Sequence, residues 1–394
     1  MDSNDIITMA HGSGGGESAH LLSEIFGKHF SNEILDRFDD AAVLPIGGHS
    51  GDGSEHSGDG SFCVPQGTQK EPSPLCSEPS PLCSEPSPLC SEPSPLCSPL
   101  CPLVVSTDSF VVTPLFFPGG DIGKLAVCGS VNDVLMMGAV PRWLTCGFIL
   151  EEGLGVSALE KIALSMAEAA KEAGVRIIAG DTKVVEGKRG ENPEGGLFIN
   201  TTAIGVLRPG NPSKIGASEA RPGDAIILSG NLGDHHACIL SSRLDIANNI
   251  RSDCSLLAET VDSLLINDID VHVMRDVTRG GLATILNEIA AASGVTMELE
   301  EGTIPVDDEV RAFCGVMGLD PLYMGNEGKM VAIVAEGDAD RALDEMRKTR
   351  PGVNSAIIGR VARAGAEASV ILRTPIGGGR RLSVLYGEGL PRIC

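Results

Sequence analysis

The chain has 394 residues, of which 42% are hydrophobic and 21% are charged, so it can bury a substantial core and is not disordered as a whole. Its 30 Lys and Arg residues against 53 Asp and Glu residues leave a formal net charge of -23. Such a surface repels a phosphate backbone. We therefore expect an acidic globular protein that does not bind nucleic acid.

A low-complexity segment occupies residues 47–102, where EPSPLCS occurs four times in succession. It contains 11 of the 24 prolines and 6 of the 12 cysteines. Two prolines in each seven-residue repeat exclude a helix, so we expect an extended, disordered insertion. The cysteine spacing lacks the close CxxC pairs that structural zinc sites use. The unusual Pro and Cys content therefore says little about the rest of the chain.

The remaining elements are predicted in chain order from apolar periodicity and turn residues. The strand-like runs on either side of the insertion, FDDAAVLPIG and PLVVSTDSFVV, predict a hairpin that the insertion extends. Apolar spacing predicts a helix over residues 121–139, and a capping box from Ser157 to Glu160 begins a second helix that ends at Gly174. Further strands are predicted at 176–179, 198–207, 225–229, 329–335, 356–361 and 369–373, and further helices at 256–266, 282–293 and 338–348.

Strands and helices alternate without a regular βαβ rhythm, which predicts an α+β fold, that is, mixed α/β, with two lobes and mixed sheets. The predicted parts are an N-terminal lobe at 1–207, a turn-rich linker at 208–222, a C-terminal lobe at 223–376 and a flexible tail at 377–394. The sequence has an acidic, polar start and no apolar run of membrane-spanning length. Together with the unpaired cysteine spacing, this predicts a cytoplasmic protein with no membrane span.

The first candidate binding site is the segment from His11 to Gly16, HGSGGG. Consecutive glycines let backbone N–H groups surround an anion, and the start of a following helix adds positive potential. The segment is neither a P-loop nor a dinucleotide-binding fingerprint. An ordinary N-terminal turn explains it equally well.

A series of aspartates stands at turns or strand ends, mostly beside small residues. Converging carboxylates would suit Mg²⁺, which takes hard oxygen ligands and bridges to nucleotide phosphates. Each aspartate alone is also a common cap or turn residue. Asp133 is unusual because it interrupts an apolar helix, where a buried carboxylate needs a cation or a hydrogen-bond donor. The series comprises Asp39, Asp40, Asp108, Asp133, Asp181, Asp234 and Asp276.

Three other charged residues are candidates for binding or acid–base chemistry. Arg279 precedes a predicted helix, where it could hold phosphate. Lys183 follows Asp181 by two residues, so both side chains would point the same way on a strand. Glu327 stands between glycines directly before a buried strand, a good place for an acid–base carboxylate and equally for an ordinary turn.

Cys394 ends the printed chain after a glycine-containing segment. It is not a prenylation box, which requires the cysteine four residues from the end. A mobile nucleophile that visits a site and a stray chain end both remain consistent with this position.

Several long motifs occur in order and together resemble the HypE-type nickel–iron hydrogenase maturation factors, or carbamoyl dehydratases. The resemblance covers all of the chain except about residues 47–102, and it implies membership of the aminoimidazole ribonucleotide synthetase superfamily of ATP-using, dimeric α/β proteins. The motifs are HGSGGG, DDAAVL, STDSFVVTPLFFPGGDIGKLAVCG, VNDV, CGFILEEGL, GDTKVVEG, RDVTRGG, NEGK and PRIC.

The resemblance implies an ATP-dependent dehydration on Cys394. A carbamoyltransferase partner would load a carbamoyl group on the sulfur as a thiocarboxamide, and ATP would phosphorylate its oxygen. Loss of the phosphate and a proton would leave a thiocyanate. The cyanide would then pass to an iron centre on a hydrogenase accessory complex. The enzyme would be a cytoplasmic homodimer whose N-terminal lobe binds ATP and dimerises.

The resemblance also implies roles for individual residues. Cys394 would carry the reacting group, Glu327 would take the nitrogen proton, and Lys183 would stabilise the developing charge. Magnesium would be held by Asp40, Asp108, Asp133 and Asp276. The nucleotide would contact His11, Gly12, Ser13, Gly14, Gly15, Asp40, Asp108, Asn132, Asp133, Asp181, Asp276 and Arg279.

One departure from the family pattern is His236, which stands where the family usually has glycine. If that backbone needs a positive φ, histidine is strained there and the nucleotide contacts near Asp234 are in doubt. Two other functions are considered: a small-molecule ATP enzyme of the same superfamily, such as a selenophosphate or purine-precursor synthetase, and a non-catalytic scaffold or carrier. The PRIC ending argues against the first of these.

Overall fold

The computed structural model describes residues 41–44, 102–186, 196–208, 215–362 and 368–384, together with the separate positions 16, 20 and 23. The described residues in 41–44 and 102–384 belong to one compact unit. Nearly all of the low-complexity segment, the HGSGGG segment up to Gly15, and Cys394 lie outside the described residues.

The described residues contain fourteen strands and seven α-helices. The helices are Ile122–Met136 (α1), Val156–Glu172 (α2), Asp234–Arg243 (α3), Ala258–Ile266 (α4), Gly281–Ser293 (α5), Asp308–Met317 (α6) and Ala339–Arg347 (α7). The strands are Ala42–Leu44 (β1), Leu103–Phe110 (β2), Phe116–Phe117 (β3), Gly120–Asp121 (β4), Ala139–Glu151 (β5), Arg176–Val185 (β6), Leu197–Leu207 (β7), Ala225–Leu228 (β8), Val271–Asp276 (β9), Thr296–Glu300 (β10), Met330–Val334 (β11), Ala356–Val361 (β12), Ser369–Arg373 (β13) and Gly379–Leu382 (β14). None of these helices is long and apolar enough to cross a membrane.

A five-stranded sheet has the order β1-β2-β7-β5-β6. The first four strands pair antiparallel, whereas β6 runs parallel to β5 and forms an edge of the sheet. Ala42 lies opposite Val105, so the two strands that flank the insertion pair as predicted. Helix α1 packs against this sheet, which buries nearly all of its residues.

A seven-stranded sheet has the order β14-β13-β10-β12-β8-β11-β9. Only β10 and β13 are parallel neighbours. Every residue of β8 and β11 is buried, which explains their uninterrupted apolar sequences AIIL and MVAIV. Both large sheets are therefore mixed, and the predicted α+β fold class is confirmed.

One apolar cluster joins the two halves of the chain. It includes Leu125 and Val134 of α1 together with Leu264 of α4 and Val271 and Met274 of β9. Helix α1 thus packs both on the five-stranded sheet and on β9 of the seven-stranded sheet. This packing brings polar residues of α1 close to the end of β9.

Most predicted elements are present, with shifted ends. Helix α1 begins after Asp121, whose side chain accepts hydrogen bonds from the N–H groups of Gly123 and Lys124. The capping box predicted at Ser157 is wrong, because α2 begins at Val156 after Gly155 and has no side-chain cap. Strand β6 extends to Val185, well beyond the predicted end at Ala179.

The region predicted as a flexible tail requires a correction at its start. Gly379–Leu382 form β14, which pairs antiparallel with β13 and buries Leu382. The backbone carbonyl of the next residue, Ser383, accepts a hydrogen bond from the Tyr323 hydroxyl at 3.0 Å. Residues 385–394 of the predicted tail lie outside the described residues.

Candidate active site

A group of buried carboxyl side chains lies where the two sheets meet. Asp276 is the last residue of β9, and it stands opposite Met330 of β11 in the antiparallel pair. Glu327 is in the turn that leads into β11, so the strand register places it near Asp276. Asp276 and Glu327 are only 7% and 4% exposed. Asp133 of α1 shares a hydrogen bond with Asp276, and Asp108 of β2 is close enough to repel it.

The electrostatics of this group favour protonation or a bound cation. Burial, followed by repulsion from Asp108, raises the pKa of Asp276 to about 6, against the attraction of Arg275 and Arg279. The Ser106 hydroxyl donates to Asp133 Oδ2 at 2.5 Å, which stabilises that carboxylate. Four predicted site residues, Asp108, Asp133, Asp276 and Arg279, are therefore brought together.

Glu327 carries the most strongly perturbed carboxyl of this group. Burial raises its pKa well above the ordinary value, and the charges of Asp276 and Asp253 raise it further, while Arg279 opposes them. A raised pKa means that the ionised carboxylate of Glu327 binds a proton more tightly than an ordinary glutamate does. The predicted acid–base role of Glu327 is chemically consistent with this environment and stays a prediction.

The turn that carries Glu327 packs against the start of α3. The Gly233 N–H donates to Asn326 Oδ1 at 2.8 Å, and the Asn326 amide donates to the Val277 carbonyl at 3.0 Å. The His236 N–H donates to the Gly325 carbonyl at 3.3 Å. The turn is thus fixed by α3 on one side and by the end of β9 on the other.

His236 occupies a helical position in α3, so the strain considered for a positive φ does not arise. Its ring is 2% exposed, and burial together with neighbouring His235 lowers its pKa to about 3. The neutral ring accepts a hydrogen bond from the Gly325 N–H at Nδ1, over 3.4 Å. His236 therefore supports the Glu327 turn.

Asp181 and Lys183 are not part of the buried carboxyl group in the single chain. Both lie on the edge strand β6, where the Lys183 ammonium contacts Asp181 Oδ1 at 2.8 Å and Oδ2 at 2.7 Å. The pairing confirms that the two side chains point the same way. Their side chains are 68% and 70% exposed for Lys183 and Asp181, respectively, and the ion pair lowers the pKa of Asp181.

Asn132 has a structural role, because its side chain hydrogen-bonds to the backbone of residues 255–257. Its amide donates to the Ser255 carbonyl at 3.0 Å, and its oxygen accepts from the Leu257 N–H at 2.9 Å. Both polar atoms of this 2% exposed side chain are therefore engaged with one backbone segment. Its predicted contact with the nucleotide stays a prediction.

Several predicted site residues lie outside the described residues. They include the anion-binding segment, one predicted magnesium ligand and the predicted nucleophile: His11, Gly12, Ser13, Gly14, Gly15, Asp40 and Cys394.

The described carboxylates fit a magnesium ion that arrives with a nucleotide. Asp108, Asp133 and Asp276 supply hard oxygen atoms, and the repulsion between Asp108 and Asp276 would be relieved by a divalent cation. Across the described ranges, no three His, Cys, Asp or Glu side chains are grouped closely enough to hold a metal alone. Mg²⁺ commonly takes one or two carboxylates and completes its shell with waters and phosphate oxygens.

A cavity of about 180 Å³ opens on the other side of the Glu327 turn. Ser255 and Lys329, which flank the turn, line it together with Asp234 at the start of α3. Burial, and then the charge of Asp253, raises the pKa of Asp234 to about 7, while Lys329 opposes the shift. Asp234 therefore titrates near neutral pH.

Replacing Asp234 with Asn is expected to stabilise the protein at pH 8 by roughly 2–4 kcal/mol and to change stability little at pH 4. The folded state binds the Asp234 proton more tightly than the unfolded state, so its contribution is present at low pH and is lost as pH rises towards about 7. Thermal unfolding at both pH values measures the difference. The exposed Asp340→Asn serves as the control, and an equal pH dependence of parent and D234N would contradict the prediction.

Sequence reasoning did not identify several residues that support the predicted site residues through direct contacts. Ser106, Asp253 and Ser255 contact predicted site residues directly. Ser106 begins the STDSFVV motif but was not singled out, whereas Asp253 and Ser255 lie in a short polar run with no recognisable motif. The alternation of β2 could have indicated Ser106, because it is a buried polar residue on the inward face of a strand.

Comparison with known proteins identifies the family. The AIR synthase related protein N-terminal domain matches residues 98–207, and the C-terminal domain of the same group matches residues 221–371. The carbamoyl dehydratase HypE of Azotobacter vinelandii is 42% identical over 395 residues, covering 99% of this chain and 98% of that protein. This chain belongs to the HypE family. The resemblance seen in the motifs is confirmed.

Solved structures of HypE family members share the fold. A HypE chain in a HypE–HypF complex has a TM-score of 0.74 and 37% identity, covering 93% of this chain and 99% of that chain. A HypE structure in complex with ATP has a TM-score of 0.69 and 42% identity, covering 99% of this chain and 100% of that chain. Structures of the HypE family thus include one with ATP and one with HypF.

Proposed function

We propose that this chain is an ATP-dependent carbamoyl dehydratase of nickel–iron hydrogenase maturation that acts on a thiocarboxamide carried by its own Cys394. The observation that carries the proposal is the carboxyl cluster formed by the buried Asp276 and Glu327 and the half-buried Asp133 in a HypE family chain. It combines a basic carboxylate with oxygen ligands suited to a nucleotide-bound cation.

Each residue of the site has a separate role in the proposed reaction. Asp133 and Asp276, which share a hydrogen bond, would hold a nucleotide-bound Mg²⁺ with Asp108 nearby, and the ion would supply positive charge beside the phosphoryl group. Arg279, beside this group, attracts phosphate oxygens. Transfer of the γ-phosphoryl group to the thiocarboxamide oxygen turns that oxygen into a good leaving group. One of the two nitrogen protons is released as the oxygen is phosphorylated, which leaves a C=NH group. Glu327 accepts the second proton as phosphate departs, and the carbon–nitrogen triple bond of the thiocyanate forms.

Cysteines in the described ranges do not compete with Cys394 as nucleophiles. All five of them are free and buried. Burial raises the pKa of Cys238 and Cys314 to about 11 and also raises that of Cys146. Because the thiolate is the reactive form, these groups are inert at neutral pH.

The proposal is tested by loading and mass analysis. The full chain is incubated with carbamoyl phosphate, a carbamoyltransferase of the HypF type and ATP, and the peptide that contains Cys394 is analysed by mass spectrometry. When carbamoylation takes place without productive ATP turnover, we expect the peptide to carry the thiocarboxamide. When all components are present, we expect the peptide to lose one water from that form. ATP turnover on a free small molecule with Cys394 unmodified would overturn the proposal.

A homodimer across the five-stranded sheet is part of the proposal. Ile149 lies opposite both Lys183 of β6 and Phe198 of β7, so the three side chains share one face. Ile149 and Phe198 are 46% and 37% exposed, which leaves an apolar strip on this face. A second copy of the chain that covers this strip would bring Lys183 into an interface. There, Lys183 would stabilise the developing charge, as predicted for it.

Replacing Ile149 with Lys is expected to weaken dimerisation at least about tenfold, because it places a cation beside Lys183 within an apolar contact. Sedimentation equilibrium measures the dissociation constant. Val316→Lys, at an 86% exposed position of α6, is the control and should leave it unchanged. A parent chain that is monomeric, or an I149K variant that dimerises like the parent, would contradict the prediction.

The partners and compartment follow from the same proposal. A carbamoyltransferase of the HypF type would supply the carbamoyl group, and an iron-carrying hydrogenase accessory complex would accept the cyanide. The buried free thiols of the described residues are consistent with a reducing, cytoplasmic compartment.

A further inference from the structure

The loop at residues 252–257 holds the backbone of Glu327 from two directions. The Glu327 N–H donates to Asp253 Oδ1 at 3.1 Å. The Ser255 N–H donates to the Glu327 carbonyl at 3.2 Å. Both peptide groups that flank the Glu327 side chain are therefore bound to this loop, which leaves the side chain as the part of the residue not committed to the backbone.

Gly328 lets the loop approach this closely. A Cβ atom at this position would lie 2.0 Å from the Asp253 carbonyl oxygen and 2.3 Å from Ser255 Oγ. The first contact is with backbone and cannot be relieved by a side-chain rotation. Any larger residue would push the turn and the loop apart, so glycine here is a packing requirement of the Glu327–Asp253 contact.

The loop itself is anchored at several points. Asn132 of α1 binds the Ser255 carbonyl and the Leu257 N–H. The Ser252 N–H donates to the Pro118 carbonyl at 2.8 Å, and Ser252 Oγ hydrogen-bonds His235 Nδ1 at 2.7 Å. Because the loop is bound to α1 and α3, these two helices also fix the position of its contact with Glu327. Both helices contribute to the carboxyl site.

Asp253 is a buried acidic residue whose ion-pair partner among the described residues is Lys329. Its side chain is 2% exposed, and Lys329 Nζ lies 3.4 Å from Oδ2. Oδ2 has no hydrogen bond, although the atom is buried. A buried carboxylate in this state is costly unless it is paired. Lys329, two residues after Glu327, offsets that cost and ties the Asp253 side chain to the same turn.

We propose that Asp253 is a positioning residue for Glu327, fixing the backbone that presents the catalytic carboxyl while Lys329 holds Asp253 in place. The inference rests on the proposed base role of Glu327. Asp253 touches no reacting atom in this scheme and acts only through Glu327. A displacement of about 1 Å in a catalytic group typically lowers the rate by about 10²-fold.

The test uses the full chain carbamoylated on Cys394, with single-turnover loss of water after ATP addition as the readout and the ATP dissociation constant measured in parallel. Asp253→Ala is expected to slow water loss about 10²-fold while changing ATP affinity by less than about twofold. Asp253→Asn keeps the Oδ1 acceptor, so its rate should stay within about fivefold of the parent. Asp338→Ala is the matched control, because Asp338 also accepts a backbone N–H, from Asp270, and pairs with Arg341.

A double-variant cycle separates positioning from general destabilisation. If Asp253 acts through Glu327, D253A added to E327Q slows the reaction by no more than about twofold beyond E327Q alone. Multiplicative losses, a D253A rate equal to the parent, or a D253N rate as low as that of D253A would each overturn the inference. Should D253A fail to fold, Asp253→Glu, which moves the acceptor by one methylene, replaces it under the same expectation. A parent chain without turnover would overturn the proposed function as well.

Discussion

Replacing Glu327 with Gln is expected to slow dehydration of carbamoylated Cys394 by about 10²–10⁴-fold, the usual contribution of a general base. Gln preserves the shape and the hydrogen-bonding length of the side chain but cannot accept the nitrogen proton. Gln also carries no negative charge beside Asp276 and Asp108 at any pH. ATP, which is anionic, should therefore bind at least as tightly as it does to the parent.

Single-turnover mass analysis and equilibrium ATP binding together measure this effect. Glu298→Gln, which removes a surface ion pair with Arg373, is the control and should behave as the parent. E327Q with the parental rate would exclude Glu327 as the base. Loss of ATP binding in parallel with the rate would show that the residue supports the nucleotide site rather than the proton transfer.

Replacing Cys394 with Ala is expected to abolish both carbamoylation and thiocyanate formation while ATP binding is retained. No described cysteine can substitute for it, because all five are buried, and burial raises the pKa of Cys238 and Cys314 to about 11. The expected product yield is therefore below detection rather than merely reduced.

Six cysteines of the low-complexity segment provide the matched control for this variant. Their simultaneous replacement by Ser should leave loading and dehydration unchanged, as measured by mass analysis of the peptide that contains residue 394. Retained carbamoylation in C394A, or its loss in the sixfold variant, would move the carrier role into that segment. The residues are Cys63, Cys76, Cys83, Cys90, Cys97 and Cys101.

Elements with strong local signals were predictable from the sequence. The apolar spacing of α1 and the uninterrupted apolar runs of β8 and β11 reflect burial within the large sheets. The pairing of β1 with β2 followed from two short runs on either side of a compositionally distinct segment. For β8 and β11, one local pattern was enough because these strands are buried along their whole length.

Strands that contain breaks in pattern were not predictable in the same way. Strand β5 includes Pro141 and Gly147 and was missed, although it lies between two neighbours in the sheet. The sequence prediction ends strand β6 at Ala179, directly before Gly180, whereas the strand continues to Val185. At Gly180, a Cβ atom would lie 2.7 Å from the Cys146 carbonyl oxygen, so glycine permits close strand pairing rather than ending the strand. Such requirements come from neighbouring strands and leave no local signal.

The candidate site divides along a similar line. Residues that stand in recognisable positions, such as Asp133 inside an apolar helix and Glu327 between glycines, could be singled out from sequence. Asp253 could not, because its partner Glu327 is 74 residues away along the chain and the contact depends on tertiary packing. The edge position of Lys183, away from the buried carboxyl group, likewise follows from sheet order.

Strand β14 determines how far the reacting sulfur can travel. Ser383, directly after β14, is bound to Tyr323, which precedes Glu327 by only four residues. Cys394 follows this anchor by eleven Cα–Cα steps, so the tether spans at most about 40 Å. A substrate attached through a tether of this length meets its site at an effective concentration in the millimolar range. Turnover of the attached group should therefore be first order and independent of protein dilution, and micromolar free thiocarboxamide should not compete with it.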